Sequence, residues 1–387
     1  MNRPQGICVA FDAKRAFANN TGLGNYSRLV IASMAALYPA NDYLLFTPRA
    51  VDNRRMDSIL MRENISTVTP QGLGRHCPAL WRSTAIPAGC ARAGVDIYHG
   101  LSNEIPLVSM PCPSVVTIHD LIWRRIPGDY SPIDRRLYDL KYGHAARHAT
   151  RIIAISDRTR SDIVKDWNID PAKIDVVYQG VDPIFATAPD YDSRQTVRKR
   201  YGISGRYIIT VGSIQSRKNQ LLAIRGLQAL DRDISLVIVG RGRGDYAGLL
   251  RSEISRLRLD DRVIHIGNVD FNDLPALYAG AVFSSYTSRY EGFGLPVVES
   301  LTVGTPVIAC TGSCLEEAGG AGALYVGPDD TGAWVEAARA IIDKPWMRDR
   351  LADAGRRHIR QFNHADFATG IMKSYNKAIL DFNLKNL

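Results

Sequence analysis

The sequence predicts an α/β protein built from two successive doubly wound parallel sheets, and three observations carry that prediction. Short β-rich runs alternate with helical patterns along the chain. Several runs are continuously apolar, as strands covered by helices on both faces are. A length of 387 residues exceeds one ordinary core and suits two domains.

In the first half, strands are expected at Gly6–Phe11, Tyr43–Thr47, Val95–His99, Val115–His119, Arg151–Ile155 and Ile174–Tyr178. Residues 52–92 carry only weak periodicity, with mixed charge, Trp81 and prolines at 70, 78 and 87. Three readings stay open there: ordinary loops and helices, an acceptor-side lid, or an interfacial membrane patch around His76–Trp81. The stretch Val181–Gln195, with Pro183, Pro189 and small or polar residues, reads as a linker. Beyond it, strands are expected at Tyr207–Val211, Ser235–Val239, Arg262–Ile266, Ala281–Ser285, Pro306–Ala309 and Ala323–Val326, with helices at 329–343 and 345–361. Phe367, Ile371, Tyr375 and Ile379 then recur at four-residue spacing, a helical stripe. The second sheet is already served by helices, so this last one is expected to cross back to the first domain. The expected division is residues 1–183, 184–364, and a returning helix over 365–387.

Hydrophobic and charged contents of 45% and 22% are those of a globular protein. The net charge of +9 is spread over both halves without a block of like charges, which argues against nucleic-acid binding and suits anionic substrates or an anionic membrane surface. The cysteines at 8, 77, 90, 112, 310 and 314 form no Cys-x-x-Cys pair and no zinc spacing, and read as small buried hydrophobes. The apolar run Ile7–Phe11 is too short for a signal peptide, and no stretch approaches the roughly 18 apolar residues of a membrane span. A cytoplasmic protein is expected, at most peripheral on the inner face of the membrane.

The motif with most chemical content is Glu291-Gly-Phe-Gly-Leu-Pro-Val-Val-Glu299. Pro296 suits the first turn of a helix, with Gly292 and Gly294 in the loop ahead of it. The reading puts Glu299 in that first turn and Glu291 before it, at a helix start that can bind an anion. A carboxylate accepting two hydroxyl hydrogen bonds suits a ribose or a hexose. After the strand Tyr207–Val211 comes Gly212-Ser-Ile-Gln-Ser-Arg-Lys-Asn219, with Arg217 and Lys218 at the sheet edge where ligands bind. Those two cations would neutralise a diphosphate. In the first domain, Thr21-Gly-Leu-Gly-Asn-Tyr26 would bring backbone amides of Gly22 and Gly24 to a phosphate or sugar. His119 and Asp120 end one strand, and His99, Asn103 and Glu104 follow another.

Taken together, these residues resemble the family-4 retaining glycosyltransferases of the GT-B fold, of bacterial mannosyltransferase type. The Glu-x7-Glu string carries the resemblance, with Asn272-Asp-Leu-Pro-Ala-Leu-Tyr278 before it and Arg217-Lys-Asn219 and His119-Asp120 in matching order. It implies two Rossmann-like domains facing each other across a cleft, acceptor side first and donor side second. By the same resemblance Lys218 and Arg217 hold the donor diphosphate, Glu299 the ribose, and Glu291 with Gly292, Phe293, Gly294 and Leu295 the transferred sugar. His119 touches that sugar near its anomeric end, Asn268 and Val269 border the base, and the Gly22–Gly24 loop lines phosphate and acceptor. Two departures stand out: many members carry Gly-Arg where this chain has Gly212-Ser213, and Pro-Ser where it has Thr287-Ser288.

The resemblance further implies net retention, a nucleotide-sugar donor (GDP-mannose first, then UDP- or dTDP-linked hexoses), and a glycan or lipid-linked acceptor of surface polysaccharide. No cofactor and no metal are expected. Asp231-Arg-Asp233 has the Asp-x-Asp spacing of a metal site but precedes its strand, and Asp190-Tyr-Asp192 falls in the linker. The rival reading is a dinucleotide-dependent oxidoreductase, based on Gly240-Arg-Gly-Arg-Gly244. Its third glycine comes one residue early, and the next strand ends without the acidic residue that would hold a ribose. A non-catalytic nucleotide-sugar-binding protein is the other alternative.

Overall fold

The structure, a computed structural model, describes residues 6–71, 77–242 and 244–385. It divides into two units, one of residues 1–124, 130–180 and 362–387 and one of residues 125–129 and 181–361.

The first unit opens with β1 (Cys8–Asp12), α1 (Lys14–Ala18), α2 (Gly22–Leu37) and β2 (Asp42–Phe46). The stretch of weak periodicity contains α3 (Arg54–Leu60), β3 (Ile65–Val68) and all but the last residue of α4 (Pro78–Ala93). Then come β4 (Ile97–Gly100), β5 (Ser114–Ile118), α5 (Ile122–Arg125), α6 (Pro132–His148), β6 (Arg151–Ala154), α7 (Asp157–Trp167) and β7 (Ile174–Val176). All strands pair in parallel, in the order β3-β2-β1-β4-β5-β6-β7.

The second unit has α8 (Tyr191–Arg200), β8 (Arg206–Val211), α9 (Gln220–Leu227), β9 (Ile234–Val239), α10 (Asp245–Arg256) and β10 (Val263–Ile266). It continues with α11 (Leu274–Ala279), β11 (Ser284–Tyr286), α12 (Leu295–Thr302), β12 (Val307–Cys310), α13 (Leu315–Gly319), β13 (Ala323–Val326), α14 (Thr331–Asp343) and α15 (Pro345–His358). Its parallel order is β10-β9-β8-β11-β12-β13. Each sheet reverses its winding once, between β1 and β4 and between β8 and β11, and such a switch point opens a crevice at the strands' C-terminal ends.

Every expected strand is present, β13 at its expected bounds and the others with ends displaced by up to a few residues. β3 was missed because its two central residues, Ser66 and Thr67, are polar and exposed and it lies at the sheet edge, so no apolar run marks it. The linker reading is corrected in part: Tyr191–Arg200 is a helix, and Asp190 caps it by accepting from the Ser193 N–H at 2.8 Å. Of the stretch His76–Trp81, open to a membrane-patch reading, only the tryptophan among the described side chains is withdrawn from the surface, while Leu80 is exposed. His76 lies outside the described residues, and Trp81 is buried, its ring 6.3 Å from that of Phe46. Among the described residues no helix is long and apolar enough to cross a membrane.

The chain's last helix, α16 (His364–Lys385), packs on α2, β4, β5 and β6. It buries Phe367, Ile371, Tyr375 and Ala378. Tyr375 Oη meets His99 Nδ1 at 2.7 Å, and Asp381 pairs with Arg151 at 2.9 Å.

Candidate active site

At the switch point of the second unit, two loops leave β8 and β11 side by side. Residues 216–218 form a single 3-10 turn, closed by Asn219 in the left-handed region at φ 53°. The second departure from the family pattern, Thr287-Ser288, ties these loops together. Thr287 Oγ1 donates to Asn219 O at 2.9 Å, and Ser288 Oγ donates to Arg217 O at 3.2 Å. The Arg289 N–H adds a bond to Arg217 O at 2.8 Å. The loop of Arg217 and Lys218 is thereby stitched to the loop of Glu291.

Stitching brings the charges together. Lys218 Nζ and an Arg217 guanidinium nitrogen each lie 2.6 Å from Glu291 Oε1. Tyr286, the last residue of β11, sits beneath them. Its hydroxyl accepts from Lys218 at 2.5 Å and donates to Glu291 Oε1 at 3.1 Å, while Lys218 lies 4.9 Å from its ring centroid. Burial pushes the Glu291 carboxyl up, but Lys218 and then Arg217 outweigh it and hold it at about 2. The cluster is one anion against two cations, so it keeps a net positive charge. Sequence reasoning missed Tyr286 because the expected strand stopped at Ser285.

Beyond Glu291 the chain turns through Gly292 and Phe293 into α12. Gly294 holds φ 112°, and a Cβ there would lie 2.7 Å from Leu315 Cδ2. The Cys314 thiol, also missed, donates to the carbonyls of Glu291 at 3.1 Å and Phe293 at 3.0 Å and braces the turn. The placement of Glu299 is corrected. It is the fifth residue of α12, past the first turn, and its carboxylate accepts from Tyr278 Oη at 3.1 Å. Leu295 opens the helix and is half-buried. Asn268 and Val269 follow β10, the sheet's edge strand, and are not brought to the charge cluster. Asn268 is exposed, and Val269 packs on a core with Tyr207 and Leu274.

The glycine run after β9 has a packing explanation. A Cβ on Gly240 would stand 2.0 Å from Gly212 O, and one on Gly242 would stand 2.4 Å from Ile214 Cβ. Both glycines let the exits of β8 and β9 touch, which the Ile214 N–H bond to Arg241 O at 2.9 Å completes. Arg243 in that run lies outside the described residues. At the opposite edge of the sheet, Asp233 pairs with Arg206 at 2.7 Å, so Asp231-Arg-Asp233 is far from any strand exit.

In the first unit the expected residues surround the exits of β1, β4 and β5. His119 is buried, and its Nε2 donates to Leu101 O at 2.9 Å, which puts the proton on Nε2. Burial lowers its pKa to about 4, so the ring is neutral near pH 7. Asn103, at φ 63°, accepts the His119 backbone N–H at 2.7 Å and so orients that strand end. Asp120 accepts from the Ile122 N–H at 3.1 Å and caps α5. Glu104 bridges Lys14 and Arg82, each at 2.9 Å, and Arg82 reaches Asp12 at 2.5 Å. Burial pushes Glu104 up, but Lys14 and Arg82 hold it at about 2. His99 belongs to the core, between Tyr375 and Thr117.

The glycine loop is corrected. Gly22 and Gly24 lie in the first turn of α2, not in a loop. A Cβ on Gly24 would fall 1.7 Å from Asn19 O, so that glycine serves packing, whereas one on Gly22 would meet open space. Arg28, buried and unnoticed in the sequence, donates to Ala16 O at 2.7 Å and Asn19 O at 2.8 Å and fixes the approach to this helix.

Two family models match the chain in tandem. "Glycosyltransferase Family 4" covers residues 38–185, and "Glycosyl transferases group 1" covers residues 193–358. The chain belongs to the family-4 glycosyltransferases. As such it is a hexosyltransferase. The transferase is 27% identical over 378 residues to the O-antigen chain mannosyltransferase B of Escherichia coli, covering 92% of this chain and 96% of that one. It is 30% identical over 243 residues to the O-antigen chain mannosyltransferase RfbU of Salmonella typhimurium, covering 63% of this chain and 64% of that one. In fold it superposes on Anabaena Alr3699/HepE, solved with UDP-glucose, with a TM-score of 0.75 at 18% identity, over 96% of this chain and 99% of that one. The glycosyltransferase WaaG of lipopolysaccharide biosynthesis gives 0.68 at 16% identity, over 96% and 99%. The fold is therefore GT-B.

Proposed function

We propose that the transferase moves mannose from GDP-mannose, with retention of anomeric configuration, to a glycan or lipid-linked acceptor in surface polysaccharide synthesis. The observation that carries this is the Arg217–Lys218–Glu291 cluster: a net positive, buried site at the switch point, with a carboxylate able to take sugar hydroxyls. The second unit holds the donor and the first the acceptor. The mannose assignment rests on the two O-antigen mannosyltransferase relatives.

In the reaction the bond from the anomeric carbon to the diphosphate breaks, and the leaving oxygen takes up negative charge. Lys218 and Arg217 stabilise that charge, and the start of α12 adds its dipole. The acceptor hydroxyl bonds to the same face of the anomeric carbon and passes its proton to the departing diphosphate. Glu291 and the turn of Gly292, Phe293, Gly294 and Leu295 hold the sugar, and Glu299 holds the ribose. His119, neutral and oriented by Leu101, offers its ring to the sugar. Gly22 and Gly24 at the head of α2 line phosphate and acceptor, beside Asn103, Glu104 and Asp120, while Asn268 and Val269 border the base. Such a mechanism places charge stabilisation in side chains and helix ends and needs no metal.

A UDP-linked hexose is the second reading, favoured by the fold likeness to a protein solved with UDP-glucose. A calorimetric screen of GDP, UDP and dTDP, followed by product formation from the matching donors, separates the two. GDP binding with mannosyl transfer is expected. Binding of UDP or dTDP alone would move the donor assignment, and binding of NAD(H) alone would remove the transferase reading.

A further inference from the structure

We propose that Tyr286 is a positioning residue of the transfer reaction, the fixed partner that Lys218 and Glu291 both keep when the donor parts them. The inference rests on the reading of Lys218 as the cation for the diphosphate and Glu291 as the carboxylate for the sugar. In the structure those two groups answer each other directly, 2.6 Å apart, with side chains only 13% and 10% exposed. A donor that takes the ammonium for its diphosphate and the carboxylate for its sugar hydroxyls must break that pair. Charges so far from water resist separation, because each loses its neutralising neighbour where little solvent can replace it. Arg217, the other cation, has its own hold on the Tyr290 carbonyl at 2.8 Å.

Tyr286 offers what the separation needs. Its hydroxyl accepts from Lys218 Nζ at 2.5 Å and donates to Glu291 Oε1 at 3.1 Å, so one oxygen serves a cation and an anion at once. The ring, 4.9 Å from the ammonium, attracts it through its π face as well. Tyr286 is buried and lies in register with Ala309 of β12, so the phenol is anchored to the sheet, whereas Lys218 and Glu291 ride on loops. Burial first, and then the charge of Glu291, hold the phenol well above its ordinary value, so its proton stays available to the carboxylate. As the bond from the anomeric carbon to the diphosphate breaks, the two charges follow different fragments, Lys218 the leaving phosphate and Glu291 the sugar. A hydroxyl fixed between them sets how far each can move. A contact that matters most while the fragments separate acts on kcat more than on ground-state binding.

Steady-state kinetics of Tyr286→Phe, with the donor that the unchanged protein turns over, tests it. The variant should lose on the order of ten- to a hundredfold in kcat, while the donor KM and the calorimetric affinity for free nucleoside diphosphate stay within about threefold. Added to Glu291→Gln, the same change should remove less than about threefold more, because the phenol acts through that carboxylate. A tyrosine that only supports the fold would lower the melting temperature and reduce kcat by one factor in both backgrounds, so thermal unfolding is read alongside. If Tyr286→Phe does not fold, a ring-fluorinated tyrosine takes its place. It keeps the hydroxyl but makes the oxygen a weaker acceptor for Lys218, and a kcat lower by roughly a few fold is expected at an unchanged melting temperature. Unchanged kcat, equal losses in both backgrounds, or a loss confined to KM overturns the proposal. Lys218→Ala and Glu291→Gln serve as controls. Near-native turnover in both withdraws the site reading and this proposal with it, whereas their loss beside a near-native Tyr286→Phe overturns the proposal alone.

Discussion

Glu291 illustrates how a single side chain here answers to several others. Two cations and a phenol hold one of its oxygens, Oε1. Lys218→Ala should weaken donor binding and rate together, by on the order of 2–4 kcal/mol, because it removes the charge that meets the leaving phosphate. Steady-state kinetics with the identified donor checks this, and near-native turnover would withdraw the diphosphate assignment. The two glutamates should differ in kind. Glu299→Gln should weaken donor and free nucleotide alike, with the larger change in KM, whereas Glu291→Gln should mainly lower kcat and leave nucleotide affinity nearly intact. Calorimetry and product formation separate the cases, and equal loss of nucleotide binding in both would end the sugar assignment. Two histidines set a pH dependence. Burial first, and then the charge of His119, lowers His99 to about 3, and burial lowers His119 to about 4, both from 6.5. The unfolded chain therefore binds more protons below pH 6.5, and stability falls as pH drops from there toward 4, on the order of a few kcal/mol per ring. Denaturant melts at pH 7 and pH 5 should show the loss, and replacing His99 by Gln should flatten it. Sequence spacing put Glu291 beside a helix start, but its bond to Lys218 joins loops from two strands, and no local pattern reports that.

At the scale of elements, legibility followed periodicity. Buried strands such as β8 and β9 announce themselves as apolar runs, while β3, with exposed Ser66 and Thr67 at the sheet edge, stayed hidden. Glycines were visible but their reasons were not. Gly22 and Gly24 read as a loop and are the first turn of α2, and the run from Gly240 looked like a nucleotide fingerprint and is a contact between two strand exits. In each case the deciding atom is a carbonyl distant in the chain or hidden by folding, Asn19 O for Gly24 and Gly212 O for Gly240. The contact at Gly240 makes a prediction. Gly240→Ala adds a methyl 2.0 Å from a backbone oxygen and must displace the β8 exit, since φ 148° and the clash act together. A loss of about 2–4 kcal/mol in unfolding free energy is expected, with weaker nucleotide binding because Lys218 rides on that loop. Gly22→Ala, which meets open space, should leave stability nearly unchanged. If both variants melt alike, the contact carries no weight.

Across the whole molecule, the order of the chain and the order of the units do not agree. α16 comes last in sequence but packs in the first unit, with Tyr375 on His99 and Asp381 on Arg151. The four-residue stripe from Phe367 foretold the helix; its two polar anchors, which fix where it sits, could not be read from spacing. Tyr375→Phe keeps the ring and removes the hydroxyl, leaving a fully buried His99 nitrogen without that partner. It should cost about 1–3 kcal/mol, measured by thermal or denaturant unfolding, and an unchanged midpoint would show that the bond is dispensable. The return of this helix also bears on how the protein is made. A ribosome delivers chains amino end first, and domains ordinarily close in that order. Here the leading unit stays open, its β4–β6 face uncovered, until residues 362–387 have left the exit tunnel, whereas the trailing unit holds all its residues by position 361. Birth order is thus inverted. The unit whose strands come first in the sequence is closed by residues that follow the whole of the other unit, so its α2, β4, β5 and β6 wait for a helix encoded beyond position 361.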